Sequence, residues 1–205
     1  MDQTQIVTAF ATLFVVIDPL GLVPLFIALT PGMARQKRLT VGLRACLIAA
    51  GVLTLFGVLG EAALDFIGIS MPAFRIAGGI LLLLTALDML FERRTQRREG
   101  QTAAEHDHDP SVFPLGIPLM AGPGAIATMI LLVGRSDGWT GALAVHLVMG
   151  AVILCAFVLF LIADPLERLV GRTGTLVITR LLGMLLAALA VQFVIDGIRG
   201  SGLLD

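Results

Sequence analysis

Six stretches of the chain are nearly free of charge and long enough to cross a bilayer: residues 6–29, 41–64, 72–91, 112–133, 140–163 and 176–195. A helix needs roughly 20 apolar residues to span a hydrocarbon core about 30 Å thick. Within each stretch the apolar positions run on without the strict alternation of barrel strands. A helix also satisfies its own backbone donors and acceptors, which lipid demands. The pattern therefore predicts an all-α membrane protein with six transmembrane helices. The second and fifth stretches are cleanest, since 45–60 and 138–163 hold no Asp, Glu, Lys or Arg.

Composition agrees. Of 205 residues, 57% are hydrophobic and only 14% charged, and mean hydropathy is +0.96. Soluble domains carry about 25% charged residues, so a water-facing globule, a disordered chain and a fibre are excluded. A net charge of −1 gives no electrostatic basis for binding nucleic acid. Cys46 and Cys155 lie singly in apolar runs, which suggests neither a disulfide framework nor a zinc site. The start, Met1-Asp2-Gln3-Thr4-Gln5, lacks the basic region of a secretory signal, so the first helix is expected to be retained.

Lys and Arg set the expected orientation. Eleven of them (Arg35, Lys37, Arg38, Arg44, Arg93, Arg94, Arg97, Arg98, Arg168, Arg172 and Arg180) flank the loops after spans 1, 3 and 5. Only Arg75, Arg135 and Arg199 flank the others. The positive-inside rule places the first set in the cytoplasm of a plasma (inner) membrane and both termini on the outer, periplasmic side. Residues 92–111 hold eleven charged or histidine residues in twenty, which reads as a solvated cytoplasmic linker. Glu105-His106-Asp107-His108-Asp109 offers divalent-metal ligand types, but a hydrated linker does not hold them rigidly. No metal and no cofactor are expected.

The segments on either side of the linker, 1–91 and 112–205, resemble each other. Asp18-Pro19-Leu20-Gly21 in span 1 corresponds to Gly122-Pro123-Gly124-Ala125 in span 4. Arg75-Ile76-Ala77-Gly78 opening span 3 corresponds to Arg180-Leu181-Leu182-Gly183 opening span 6, at nearly the same offset. Three spans per half is an odd number, so the second half would be inserted upside down, as in many secondary transporters.

Pro19 and Pro123 fall mid-span. A proline there removes a backbone donor and clashes with the preceding turn, yet it suits the first position of a new helix after an Asp or Gly cap. Spans 1 and 4 therefore read as helices broken near the midplane, with Pro24, Pro114 and Pro118 adding distortion. The new N-termini carry partial positive charge and free N–H groups suited to a carboxylate. The ends of the preceding half-helices offer carbonyls suited to an ammonium. The candidate substrate site is thus Asp18, Pro19, Leu20, Gly21, Gly122, Pro123, Gly124, Ala125 and Thr128, with a small zwitterion as ligand. The plain alternative is a structural kink, because proline and glycine are common in membrane helices.

The stretches 17–26, 72–79, 118–128 and 178–183 resemble the MarC family of bacterial and archaeal inner-membrane proteins. The likeness covers essentially the whole chain. It implies a neutral amino acid transporter with substrates such as glycine and alanine.

Other polar residues complete the inventory. Asp18 is either a helix cap or a titratable proton carrier. His146 in span 5 is a second proton-coupling candidate, set against a plain interhelical hydrogen bond. Arg75 with Asp196, and Arg180 with Asp88, are predicted as two structural or gating ion pairs; Glu61, Asp65, Asp164 and Glu167 compete as partners. Gln192 in span 6 is also polar. Thr128 either touches substrate or bonds back to its own helix. No nucleotide-binding Walker motif occurs, so a proton, sodium or substrate gradient would drive transport. The expected function is a secondary transporter of small neutral amino acids working by alternating access. Export of another small solute or drug is the alternative, weakened by one Trp and no Tyr. No H-E-x-x-H or G-x-S-x-G motif marks an enzyme. Glycines such as Gly51, Gly57 and Gly60 could serve close packing within the bundle or self-association.

Overall fold

The computed structural model describes residues 2–91 and 109–202. Among the described residues, eight helical elements follow one another: α1 (Gln3–Ile17), α2 (Pro19–Leu29), α3 (Arg35–Ile67), α4 (Met71–Leu90), α5 (Ser111–Met120), α6 (Pro123–Gly134), α7 (Gly138–Leu161) and α8 (Ala163–Gly200). All six apolar stretches fall on these helices. Five helical runs are long and apolar enough to cross a membrane, and α5 with α6 makes a sixth if counted as one bent crossing.

Local chemistry sets the boundaries. Asp2 caps α1: its Oδ1 accepts from the Gln5 N–H at 2.8 Å, and Gln5 Oε1 accepts from the Asp2 N–H at 3.0 Å. This reciprocal pair satisfies two otherwise orphaned donors. Ser70 caps α4. Gly68 ends α3 with φ at +80°, a conformation natural to glycine at a helix C-terminus. With 33 residues, α3 is about 50 Å long at 1.5 Å per residue, more than the roughly 30 Å lipid core. Its first turns, bearing Arg35, Arg38 and Arg44, therefore reach past the hydrocarbon.

One element differs from the sequence reading. Residues 164–170, between the fifth and sixth apolar runs, are helical rather than loop and belong to the start of α8, set off from the membrane span by Gly171 at φ +66°. The 38-residue α8 thus comprises a short helix and the apolar run Leu176–Gly200.

The proline-bearing segments α1–α2 and α5–α6 are the most buried. Leu13, Ile17, Leu22 and Phe26 of α1–α2 are buried, as are Leu115 and Met120 of α5 and Met129 and Leu131 of α6. Surrounding them, Leu47 and Val58 of α3, Leu147 and Leu154 of α7, and Leu181 and Leu185 of α8 are exposed. So much apolar surface is incompatible with water but natural against acyl chains.

Helix α4 packs on α8, and α3 on α7. The α4–α8 seam is narrow because glycines line it. A Cβ at Gly79 would stand 2.8 Å from the Ala190 carbonyl, one at Gly183 3.0 Å from Met89, and one at Gly197 2.9 Å from the Pro72 carbonyl. Small residues let membrane helices approach closely where no hydrophobic force draws them together.

Candidate functional site

The path of α1 and α2 is interrupted at a single residue. Asp18 takes a left-handed conformation, φ 54° and ψ 61°, which short polar side chains tolerate better than most. Its N–H donates to the Phe14 carbonyl at 2.9 Å, closing α1, and its carbonyl accepts from the Leu22 N–H at 3.1 Å, opening α2. Its Oδ1 accepts from the Gly21 N–H at 3.1 Å. Asp18 therefore caps both helices. Gly21 is required here, since a Cβ would overlap the Asp18 carboxylate. Pro19 has no N–H to offer the Val15 carbonyl four residues back. Direction is largely kept, and 3–29 still reads as one 27-residue crossing.

The second break is wider. Phe113 and Ile117 are extended within the π-type turns of α5, each preceding a proline, as steric pressure from the following ring favours. Ala121 and Gly122 then separate α5 from α6, and the two meet at 55°. Gly122 stands at the N-cap with φ −81° and ψ 169°, without a side-chain hydrogen bond to α6. A Cβ at Gly122 would lie 2.7 Å from the Pro118 carbonyl.

These two breaks are neighbours. A Cβ at Gly124, in the first turn of α6, would lie 3.5 Å from Val16 in the last turn of α1, and 3.2 Å from Leu82 of α4. Asp18, Thr128, Gly124 and Ala125 are all buried. The N-terminus of α6 thus abuts the C-terminal end of α1, with Gly124 and Ala125 buried, Gly122 half-buried and Pro123 exposed.

The other sequence-selected residues divide. The Thr128 hydroxyl donates to the Gly124 carbonyl at 2.8 Å, the back-bond read as its structural role. His146 Nδ1 lies 2.7 Å from the Ala142 carbonyl, so it carries the proton and donates within α7. Its Nε2 is buried without a partner and faces α3, where a Cβ at Gly57 would stand 2.8 Å from it. Arg75 and Asp196 do not form the predicted ion pair. Asp196 is taken by Arg135 at 2.6 Å and by Gln192 Nε2 at 2.7 Å. Arg135, at the end of α6, is held over the Phe193 ring at 5.3 Å and reaches the carboxylate first. Arg75 feels both charges, but its buried Nε has no hydrogen-bond partner. Asp88 and Arg180 are each engaged in interactions.

At the arginine-rich end, Asp109 is set by the chain beside it. Its Oδ1 accepts from the Ser111 hydroxyl at 2.7 Å and the Ser111 N–H at 3.0 Å, and Oδ2 pairs with Arg44 at 2.6 Å. The two Ser111 hydrogen bonds hold this carboxyl below the usual carboxylate range; burial opposes them less strongly, and the Arg44 and Lys37 charges add smaller downward pulls. Glu105 to His108, the rest of the metal-ligand run, lie outside the described residues.

A cavity of about 250 Å³ opens at the same end, between α2, α3, α7 and the start of α8. Arg38 and Asp164 line it, paired at 2.9 Å. Phe26 and Phe160 stack there with centroids 4.4 Å apart. Sequence reasoning named Asp164 only as a competing partner and passed over Arg38, Phe26 and Phe160. The available signal was position: Arg38 opens the second span and Asp164 closes the fifth, both on the arginine-rich side.

Residues 3–201 match the family description "MarC family integral membrane protein". The chain is 38% identical over 205 residues to a UPF0056 membrane protein of Methanocaldococcus jannaschii, covering 98% of this chain and 99% of that one. It is 36% identical over 203 residues to the UPF0056 membrane protein YhcE of Escherichia coli, covering 96% and 94%. With the UPF0056 inner membrane protein YhgN of the same organism it shares 34% over 199 residues, covering 96% and 98%. No solved structure matches it.

Proposed function

The chain belongs to the MarC family of integral membrane proteins, and on that premise we propose that it is a secondary transporter of small neutral amino acids. The substrate sits where the interrupted crossings meet. The observation that carries this reading is the contact between the first turn of α6 and the last turn of α1, at Gly124 and Val16.

The two helix ends differ in what they offer. The N-terminus of α2 is already occupied by the Asp18 carboxylate. The N-terminus of α6 is capped by a glycine with no side chain to spend, so the N–H groups of Gly124 and Ala125 form the seat for a substrate carboxylate. Beside them, the last carbonyls of α1 carry the negative end of that helix dipole and receive the ammonium.

Alternating access follows from a two-fold plan of inverted three-helix repeats. Its support is the pairing of corresponding elements: α4 packs on α8 and α3 on α7, while α1 meets α7 as α5 meets α3. Such partners lie together when halves are related by an axis in the membrane plane. One half rocking against the other exposes the breaks to each side in turn. The arginine-rich end faces the cytoplasm and both termini face outward.

Uptake and counterflow into proteoliposomes, with a panel of amino acids and with or without a pH gradient, test this function. Saturable flux of glycine or alanine is the expected result. Absence of flux for every amino acid overturns it and favours export of a different small solute.

A further inference from the structure

We propose that the cavity beside the Arg38–Asp164 ion pair is a second binding site for a small zwitterion, separate from the helix breaks and at the arginine-rich mouth of the bundle. The inference rests on reading the chain as a carrier of zwitterions. At about 250 Å³ the cavity is below the roughly 300–1,000 Å³ of sites for drug-sized ligands. It also lies at the far end of the half-helix that starts at the first break. Phe26 stands seven residues beyond Pro19, about 10 Å along α2 at 1.5 Å per residue.

The walls carry both signs of charge. Arg35 and Arg38, one turn apart on α3, face the cavity with Asp164 of α8. The ion pair uses a single nitrogen: Arg38 Nη1 lies 2.9 Å from both Asp164 oxygens. This is not the two-nitrogen fork that guanidinium and carboxylate prefer. Arg38 Nε is left buried with no hydrogen-bond partner. The guanidinium is held over Phe26 at 5.4 Å, and Phe26 stacks on Phe160 to make an apolar wall. The Arg38 side chain is 19% exposed but Asp164 is 58% exposed, so opening the pair takes little energy.

Charge balance selects the ligand. A cation placed on Asp164 leaves the largely covered Arg38 guanidinium uncompensated, whereas an anion placed on Arg38 leaves the exposed Asp164 carboxylate to water alone. A zwitterion supplies both replacements at once. Its carboxylate takes the Arg38 guanidinium that Asp164 gives up, with Arg35 alongside, and its ammonium takes Asp164. The ion pair is thus a stand-in for the ligand, released when the ligand enters.

Equilibrium binding of radiolabelled alanine to the purified full-length protein in detergent reads this directly. The native chain is expected to bind two alanines, and Asp164→Asn one. Gly42→Leu, which fills the cavity and leaves both charged side chains in place, also leaves one. Gly42→Ala adds a carbon only 3.5 Å from the Phe160 and Phe26 rings, an ordinary contact that preserves the fold and still weakens the second site. Acetate and methylamine, each with half the charge pattern, are expected to displace alanine poorly. A single alanine per native chain, or two sites that survive both Gly42→Leu and Asp164→Asn, overturns this proposal and leaves the carrier reading standing. No alanine binding and no amino acid flux removes the carrier reading itself.

Discussion

Replacing Gly21 by alanine probes the cap at the first helix break. In a helix interior this change normally stabilises by about 0.5–1 kcal/mol, since glycine loses more freedom on folding. At Gly21 the added carbon meets the Asp18 carboxylate, which must leave the Gly21 N–H it accepts from at 3.1 Å. A hydrogen bond to a charged group contributes about 1.5–3 kcal/mol, so the net destabilisation is roughly 1–2 kcal/mol once the propensity gain is subtracted. For a chain of this size that lowers the melting temperature by roughly 2–8 °C. Gly51→Ala is the control, because a Cβ there meets nothing within 4 Å and should stabilise. In an Asp18→Gly background, Gly21→Ala has no carboxylate to displace and should also stabilise, giving a coupling of about 1.5–3 kcal/mol in a double-mutant cycle. Thermal unfolding of the four variants in one detergent supplies the numbers. If Gly21→Ala matches Gly51→Ala, or is as harmful without Asp18 as with it, the double-cap account is wrong.

Asp18→Asn should cost about 1 kcal/mol, the difference between a hydrogen bond to a charged group and one to a neutral amide oxygen, while Asn still suits the left-handed conformation. Transport in this variant should keep the parent's pH dependence; a changed profile in proteoliposomes would return Asp18 to the role of proton carrier. Gly79→Val should destabilise by about 1–3 kcal/mol through overpacking, since its side chain would meet the Ala190 carbonyl and Val194; unfolding in detergent measures it. Asp109 titrates below its ordinary range, so its stabilisation is complete above the unfolded pKa of about 3.9 and is lost as pH falls through the lower folded value. Ser111→Ala removes the largest cause of that shift, and a carboxyl NMR titration should show Asp109 moving upward; no movement would contradict the assignment.

The apolar spans were legible because lipid enforces a simple code: runs such as 138–161 have no other reading. Pro19 and Pro123 pointed to helix starts, and each stands in the first turn of a helix, α2 and α6. Side-chain partners were less legible. Symmetry suggested Arg75 for Asp196, yet Arg135 reaches it, because sequence spacing does not report how far a long side chain swings or that Phe193 offers it a ring to rest on. Thr128 and His146 looked chemically available but spend a hydrogen on carbonyls four residues back, a geometry any membrane helix permits. The Arg38–Asp164 mouth joins residues 126 apart in sequence, and nothing local in either stretch announces the other.

Occupancy of the breaks by substrate is measured most directly by protection of a single cysteine. In a chain with Cys46 and Cys155 replaced, Ala125→Cys places a thiol in the first turn of α6, and a small thiol reagent reports its accessibility in proteoliposomes. Alanine should slow labelling of this cysteine and leave a lipid-facing one, such as Leu154→Cys, unchanged. Labelling at position 125 that is indifferent to every transported amino acid would place the substrate elsewhere.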